Sequence, residues 1–344
     1  MKSWKIILGA ALALAVIAGL YFMTQDSVPT VSSNHQASAG AGKERKVFKM
    51  GYMPVITNLA APLLNHVSKD KGDIYFEALK FSSFAEMGSA LRNGNIQAAF
   101  IIAPLSVVLR QQGVDAKVVM IGNRHESTLV AKKELNITKF EDLAGKKVAV
   151  PMRFSGHNLA LLEEMDKRGM KGQLNIVELN PPDMPSAMAA GSMDAYFVGE
   201  PFAARSLVNG SATLVHHVED LWPGFICNLV VVRQESIAQD PELMRQFVRG
   251  AARANLWAKS HQEQAAEIAA QYWSQKPDAA KLVFSSRTVV FDKFVPKQEE
   301  MQQIANLMVK HGLIEKNNID GLVDDQFAAS VKIEDVRELT DILQ

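Results

Sequence analysis

The chain has 344 residues, with 37 lysines and arginines balanced by 37 acidic residues, 48% hydrophobic residues and one cysteine. A formal net charge of zero argues against nucleic-acid binding, which needs an excess of cations to displace phosphate counterions. Cys227 alone excludes a disulfide scaffold, a Cys-based zinc site and a redox pair, and the length allows two domains with cores that need none of these.

Lys2 and Lys5 precede residues 6–23, a run of eighteen without a charge. This is the pattern of an export segment. The run exceeds a usual signal core of about 7–15 residues and sits at the lower edge of what spans a bilayer. No small-x-small site directly follows Met23, and no cysteine follows for lipid attachment. Residues 1–23 are read as a signal sequence or an inner-membrane anchor, the anchor being favoured, with the remainder outside the cytoplasm. Residues 24–45 are rich in Ser, Ala, Gly and Thr and read as a flexible linker.

From residue 46, short apolar runs alternate with helical patterns. Residues 47–53 predict a strand, and Thr57-Asn58 precedes Leu59, Leu63, Leu64 and Val67, spaced for one helix face. Residues 74–81 predict a strand, 83–93 a helix and 96–103 a strand. Pro104 opens the next helix, and 118–121 is a fourth strand. The alternation predicts an α/β fold with a mostly parallel sheet. The script then restarts, with strands at 147–151, 174–179 and 195–198, helices at 155–168 and 184–190, and Pro201 opening another. At an offset of 97, SALRNGNIQAAFIIAP (89–104) aligns without gaps with SAMAAGSMDAYFVGEP (186–201), six of the sixteen positions being identical. Two lobes of one design follow. Residues 128–131 and 225–232 are candidate crossovers, and helical patterns at 242–259 and 262–273 are expected to pack back on the first lobe. Lobe 1 then comprises 46–127 and 233–344, and lobe 2 with its hinge crossovers comprises 128–232. A cleft between such lobes binds small molecules.

Helix amino ends expose N–H groups and attract anions. Four strand-to-helix junctions offer this: Thr57-Asn58, Ser82-Ser83, RFSGHN (153–158) and Gly199-Glu200. In RFSGHN, Arg153 is a forked cation, Ser155 a hydroxyl donor, Gly156 permits close backbone approach, and His157 and Asn158 are further donors. Thr57, Asn58, Ser82, Ser83 and Ser155 are equally plain helix caps. Glu200 has three compatible roles: an ion pair with Arg153, contact with an amine or N–H of the ligand, or coordination of calcium bound with an anion. Pro104 and Trp222 complete the candidate ligand-binding set, Trp222 as an aromatic wall or equally as a core residue. Arg124-His125 reads as a rim contact, His216-His217 as a solvated strand end, and Cys227 as a small buried hydrophobe.

Three segments, PPDMPSAMAAGSMDAYFVGEPF (181–202), FSSFAEMGSALRNGNIQAAFIIAP and EDLWPGFICNLVVVR, resemble the periplasmic solute-binding proteins of ABC importers. The similarity is to the nitrate/sulfonate/taurine/bicarbonate group and runs over residues 46–310, with GYMP and LAGKKVAVP in support. The resemblance implies a two-lobed, type II-like periplasmic-binding-protein fold. It implies a monomer that hands a small anion to a membrane permease driven by a cytoplasmic ATPase. It also implies that His157 and Glu200 line the ligand site, with Glu200 a metal ligand only if calcium is bound with the ligand; no other cofactor is implied. The family is usually lipidated or fully secreted, and the missing cysteine departs from that pattern. No hydrolase, zinc-protease, Ser-Lys or Walker motif occurs, so no enzyme is expected. The alternative is a membrane-anchored sensor using the same closing lobes.

Overall fold

The computed structural model describes residues 45–286, 289–334 and 336–344. The export segment and almost all of the linker read from the sequence lie outside these residues. Among the described residues no helix is long and apolar enough to cross a membrane.

Among the described residues ten strands form two five-stranded sheets. The first contains β1 (Lys46–Tyr52), β2 (Ile74–Lys80), β3 (Ala98–Ile102), β4 (Ala116–Ile121) and β10 (Asn228–Arg233), in the order β2-β1-β3-β10-β4. The second contains β5 (Ser127–Lys132), β6 (Lys147–Val150), β7 (Asn175–Glu178), β8 (Ala195–Gly199) and β9 (Ala212–His217), in the order β7-β6-β8-β5-β9. The central strands carry the most apolar runs, AAFII in β3 and AYFVG in β8, and every residue of both is buried. Strands covered by helices on both faces need no polar alternation. The edge strands β7 and β9 are shorter or part-exposed and carry Glu178 and His216-His217, as edges that must resist further pairing do.

The sheets are mixed, where the sequence predicted mostly parallel ones. β1 runs parallel to β2 and β3, and β6 parallel to β7 and β8. β10 is antiparallel to β3 and β4, and β5 antiparallel to β8 and β9. The reason is topological. β5 and β10 each enter from the opposite sheet and run back across their new neighbours. The chain therefore crosses between sheets at residues 122–126 and 218–227, and the two segments read as crossovers largely supply these inserted strands.

The internal repeat is real in three dimensions. Ala98 pairs with Met50, and Ala195, at the same offset of 97, pairs with Val148. Before each strand a helix ends on glycine in the left-handed region, Gly94 at φ 75° and Gly191 at φ 78°. The closing bonds match: Asn95 N–H donates to Ala90 O, and Ser192 N–H to Ala187 O, both at 2.9 Å. A Cβ would disfavour that turn, so glycine recurs.

After β10 the chain is helical. Pro241–Ser260 and Gln262–Trp273 pack on the helix Ala60–Ser68 behind the first sheet. Phe247 meets Phe48 of β1 with ring centroids 4.5 Å apart. The expectation that all these helices return to the first half needs correction. Asp278–Ser286 packs against Phe202–Val208 behind the second sheet, and Gln298–Lys310 touches both Ala103–Gln111 and Gly156–Lys167. A further stretch ties the tail to β4, where Val118 N–H donates to Leu322 O at 2.7 Å.

Candidate functional site

The carboxyl ends of the strands in the two sheets face each other. Ile56 N–H, just after β1, donates to Glu200 O, just after β8, at 2.8 Å. Around this contact the two crossovers bring together buried polar side chains: Thr57, Asn58, Asn123, Glu126, Ser127, Thr128, His157, Glu200 and Asn228.

Two carboxylates anchor the cluster. Glu126 Oε1 accepts from the Ser127 hydroxyl (3.1 Å), and its Oε2 accepts from Glu200 N–H (2.8 Å). Glu200 Oε1 accepts from the Thr128 hydroxyl (2.5 Å), and its Oε2 accepts from Ala204 N–H (2.8 Å) at the start of the helix Phe202–Val208. Gly199 sits directly against the first carboxylate, since a Cβ there would lie 3.1 Å from Glu126 Oε2.

His157 occupies the first turn of the helix Gly156–Lys167. Its Nε2 lies 2.9 Å from Ser127 Oγ, and its ring packs edge-on against Phe197 and Phe225 at 5.1 and 5.6 Å. Burial pushes its pKa down to about 3, so the imidazole is neutral. Nδ1 is buried with no hydrogen-bond partner, an omission that costs about 1–3 kcal/mol. Thr57 Oγ1 and Asn123 Oδ1 are buried without partners as well. The Cys227 thiol stands 3.9 Å from His157 Nε2, and burial first, then the charge of Glu126, pushes its pKa up. It is buried, as the sequence predicted, but in polar company.

The remaining sequence candidates divide by position. Asn58 is a brace: its amide donates to Met53 O and Phe100 O at 3.2 Å and accepts from Asn228 Nδ2 at 2.6 Å. Ser83 and Ser155 are caps, accepting from Glu86 N–H and Asn158 N–H. Asn158 Nδ2 donates to Arg153 O and so holds its own loop. Pro104 is buried in the first turn of Ala103–Gln111, and Ser82 is exposed. Trp222 is half-buried against Phe225 at 5.6 Å, which favours its packing role. His216 and His217 are half-buried at the end of β9.

Arg153 is displaced from its expected place. The side chain is exposed, with its guanidinium 5.0 Å over the Phe154 ring, and its backbone N–H donates to Glu178. It makes no ion pair with Glu200. A cap position fixes the backbone of such a loop but not the direction in which a long side chain leaves it. Arg124 is likewise turned away, donating to Gly224 O at 2.7 Å and pairing with Glu300 at 2.9 Å beside a cavity of about 440 Å³. Each oxygen of Glu200 already accepts one hydrogen bond from the protein, so a calcium held there would use their remaining lone pairs and need further oxygen ligands. The three-residue group of metal-ligand type among the described residues lies elsewhere, at Glu163, Asp166 and His311.

A cavity of about 260 Å³ opens between the two halves. Ser83, Phe84 and Ala85 line one side, and Pro151, Met152, Glu178 and Asn180 the other. Sequence reasoning missed Asn123, Glu126, Ser127, Thr128 and Asn228. The polar run GNRHEST immediately before an apolar strand was the signal that could have found the first four.

A family model described as the NMT1-like family matches residues 41–273, more than half of the chain. The taurine-binding periplasmic protein of Escherichia coli K12 is 31% identical over 176 residues, 50% of this chain and 54% of that protein. The chain thus spans about half the length of this curated relative. Among solved structures, the ligand-binding component of an ABC-type import system from Staphylococcus aureus, with zinc bound, superposes with a TM-score of 0.77 at 22% identity. It covers 84% of this chain and 100% of its own. The alkanesulfonate-binding protein of Xanthomonas axonopodis bound to MOPS gives 0.71 at 18% identity, over 82% and 99%. At these identities the likeness is one of fold, a periplasmic-binding-protein fold with two α/β halves. With the family model matched across both sheets, the chain belongs to the NMT1-like family.

Proposed function

We propose that the chain is the extracytoplasmic substrate-binding component of an ABC import system. It captures a small solute between two closing lobes and delivers it to a membrane permease driven by a cytoplasmic ATPase. The observation that carries this reading is the pair of sheets with matching strand order, linked by two crossovers, whose strand ends meet at a buried polar cluster. Lobe 1 is built on the first sheet and lobe 2 on the second. Binding rather than catalysis is favoured because burial makes the histidine a weak base and holds the thiol beside it protonated.

The names of the taurine- and alkanesulfonate-binding relatives support putting organosulfonates first among candidate ligands, ahead of nitrate and bicarbonate. Ligand that binds only the closed form stabilises it by mass action. The test is a thermal-shift screen of taurine, short alkylsulfonates, nitrate and bicarbonate, with and without calcium, paired with small-angle scattering. At least one compound is expected to raise the melting temperature and shrink the radius of gyration. If none does either, the importer reading is wrong.

A further inference from the structure

We propose that Glu163, Asp166 and His311 form a binding site for a divalent transition-metal ion of the zinc class. The ion replaces the Lys310 ammonium and ties the helix Gly156–Lys167 to the end of the helix Gln298–Lys310. The inference goes beyond the importer reading and does not depend on it.

Three side chains of metal-ligand type converge here from two helices. Glu163 and Asp166 stand three residues apart on the helix Gly156–Lys167, so they share one of its faces. His311 is the C-cap of Gln298–Lys310, and its N–H donates to Leu307 O at 3.0 Å. One donor atom from each of the three lies within 4.8 Å of the others. The His311 side chain is only 8% exposed and that of Asp166 30%, so the imidazole is held in place while the Asp166 side opens to water. Two carboxylates, an imidazole and a position left for water make a ligand set that zinc takes. The imidazole argues against calcium and magnesium, which take oxygen ligands.

Electrostatics call for a cation independently of the ligand set. Lys310 Nζ already stands between the two carboxylates, 2.5 Å from Glu163 and 3.3 Å from Asp166. Lys167 and Arg168, the next cations on that helix, pair with Glu164 and Glu141 instead. One ammonium against two carboxylates leaves a negative charge, and the last carbonyls of a 13-residue helix add to it. A divalent ion in place of the ammonium balances the carboxylates. Lys310 is free to leave, since its side chain is 48% exposed. The ion then enters where His311 Nε2 and Glu163 Oε1 now meet at 2.5 Å. Nε2 gives its lone pair to the metal, and the ring hydrogen sits on Nδ1.

The test is titration calorimetry of zinc chloride into the metal-free full chain at neutral pH, with calcium and magnesium chloride alongside. One zinc ion per chain should bind, and neither hard cation should bind at the same concentration. Asp166→Asn and His311→Ala should each weaken zinc binding about tenfold or more. Lys310→Met should tighten it, because no ammonium then has to leave. Thermal melts without metal check that the variants fold, and Asp166→Asn, at an exposed position, decides the matter if His311→Ala does not fold. Absence of zinc binding by the wild type, calcium or magnesium binding as tightly as zinc, or unchanged affinity in a folded ligand variant overturns the inference. So does unchanged or weaker zinc binding by Lys310→Met. The importer reading stands in each case.

Discussion

Lys310 Nζ stands 2.5 Å from Glu163 Oε1 and 3.3 Å from Asp166 Oδ2, and His311 Nε2 reaches the same Glu163 oxygen at 2.5 Å. Lys310 ends a helix bound to the first half, and Glu163 and Asp166 lie on the helix behind the second. These contacts therefore link the two halves through the end of the helix Gln298–Lys310.

Loosening that latch should favour the open form. Glu163→Gln should enlarge the radius of gyration of the ligand-free protein in low salt. The wild type should expand as salt is raised from about 0.05 to about 0.5 M, because exposed charges are screened over this range. Burial alone would raise the Glu163 carboxyl, but hydrogen bonds from Lys310 and His311 outweigh it and hold it below the usual carboxylate range. The contribution is thus present above the ordinary carboxylate pKa of about 4.3 and is lost as pH falls through the lower folded value. Scattering curves that respond to neither substitution nor salt would remove the latch.

His157 makes stability depend on pH in a second window. Its folded pKa is lowered from 6.5 to about 3 by burial, so the unfolded chain takes up a proton that the folded chain refuses. The stabilisation is complete above about pH 6.5 and erodes as pH falls toward the folded value. Between pH 7 and 5 urea unfolding should show a loss about 2 kcal/mol greater for the wild type than for His157→Phe. Parallel pH profiles for the two proteins would contradict the buried, neutral assignment.

Gly122 lies under the loop after β1. A Cβ there would fall 2.1 Å from Thr57 O and 3.3 Å from Asn228 O, both backbone atoms that cannot rotate away. Gly122→Ala should destabilise by about 3 kcal/mol, measured by denaturant unfolding. Gly72→Ala serves as the contrast, since its Cβ meets nothing within 4 Å and only its φ of 75° opposes it.

Asn58 should behave as a structural residue. Its removal strands Asn228 Nδ2 and takes one of the donors from Met53 O and Phe100 O. Asn58→Ala should cost about 2–4 kcal/mol, whereas Arg153→Ala, at an exposed position, should stay within about 0.5 kcal/mol. A larger stability loss at Arg153 than at Asn58 would reverse the assignment made above.

Local pattern carried much of this architecture. The helices from 83–93 onward and the repeat at 89–104 and 186–201 were legible because helix periodicity, a glycine stop and an apolar strand are short-range signals. Strand direction was not. β5 and β10 are apolar runs like their neighbours, and only the path between sheets makes them antiparallel. Within the buried polar cluster, His157 and Glu200 were legible because each stands at a strand-to-helix junction. The cluster was hidden where partners are distant: Asn58 and Asn228 are 170 residues apart, and Glu126 gains its meaning only from Gly199 and Glu200 across the crossover.

The reciprocal placing of β5 and β10 has a consequence for assembly. Each sheet borrows its fourth strand from a stretch of chain that has already visited the other. Expressed alone, residues 46–121 would lack the ribbon that joins β3 to β4, leaving two unmatched flanks where one continuous ladder belongs. By this topology the halves mature as one interlocked piece. Cutting the polypeptide between them leaves fragments that must find each other again before either is whole.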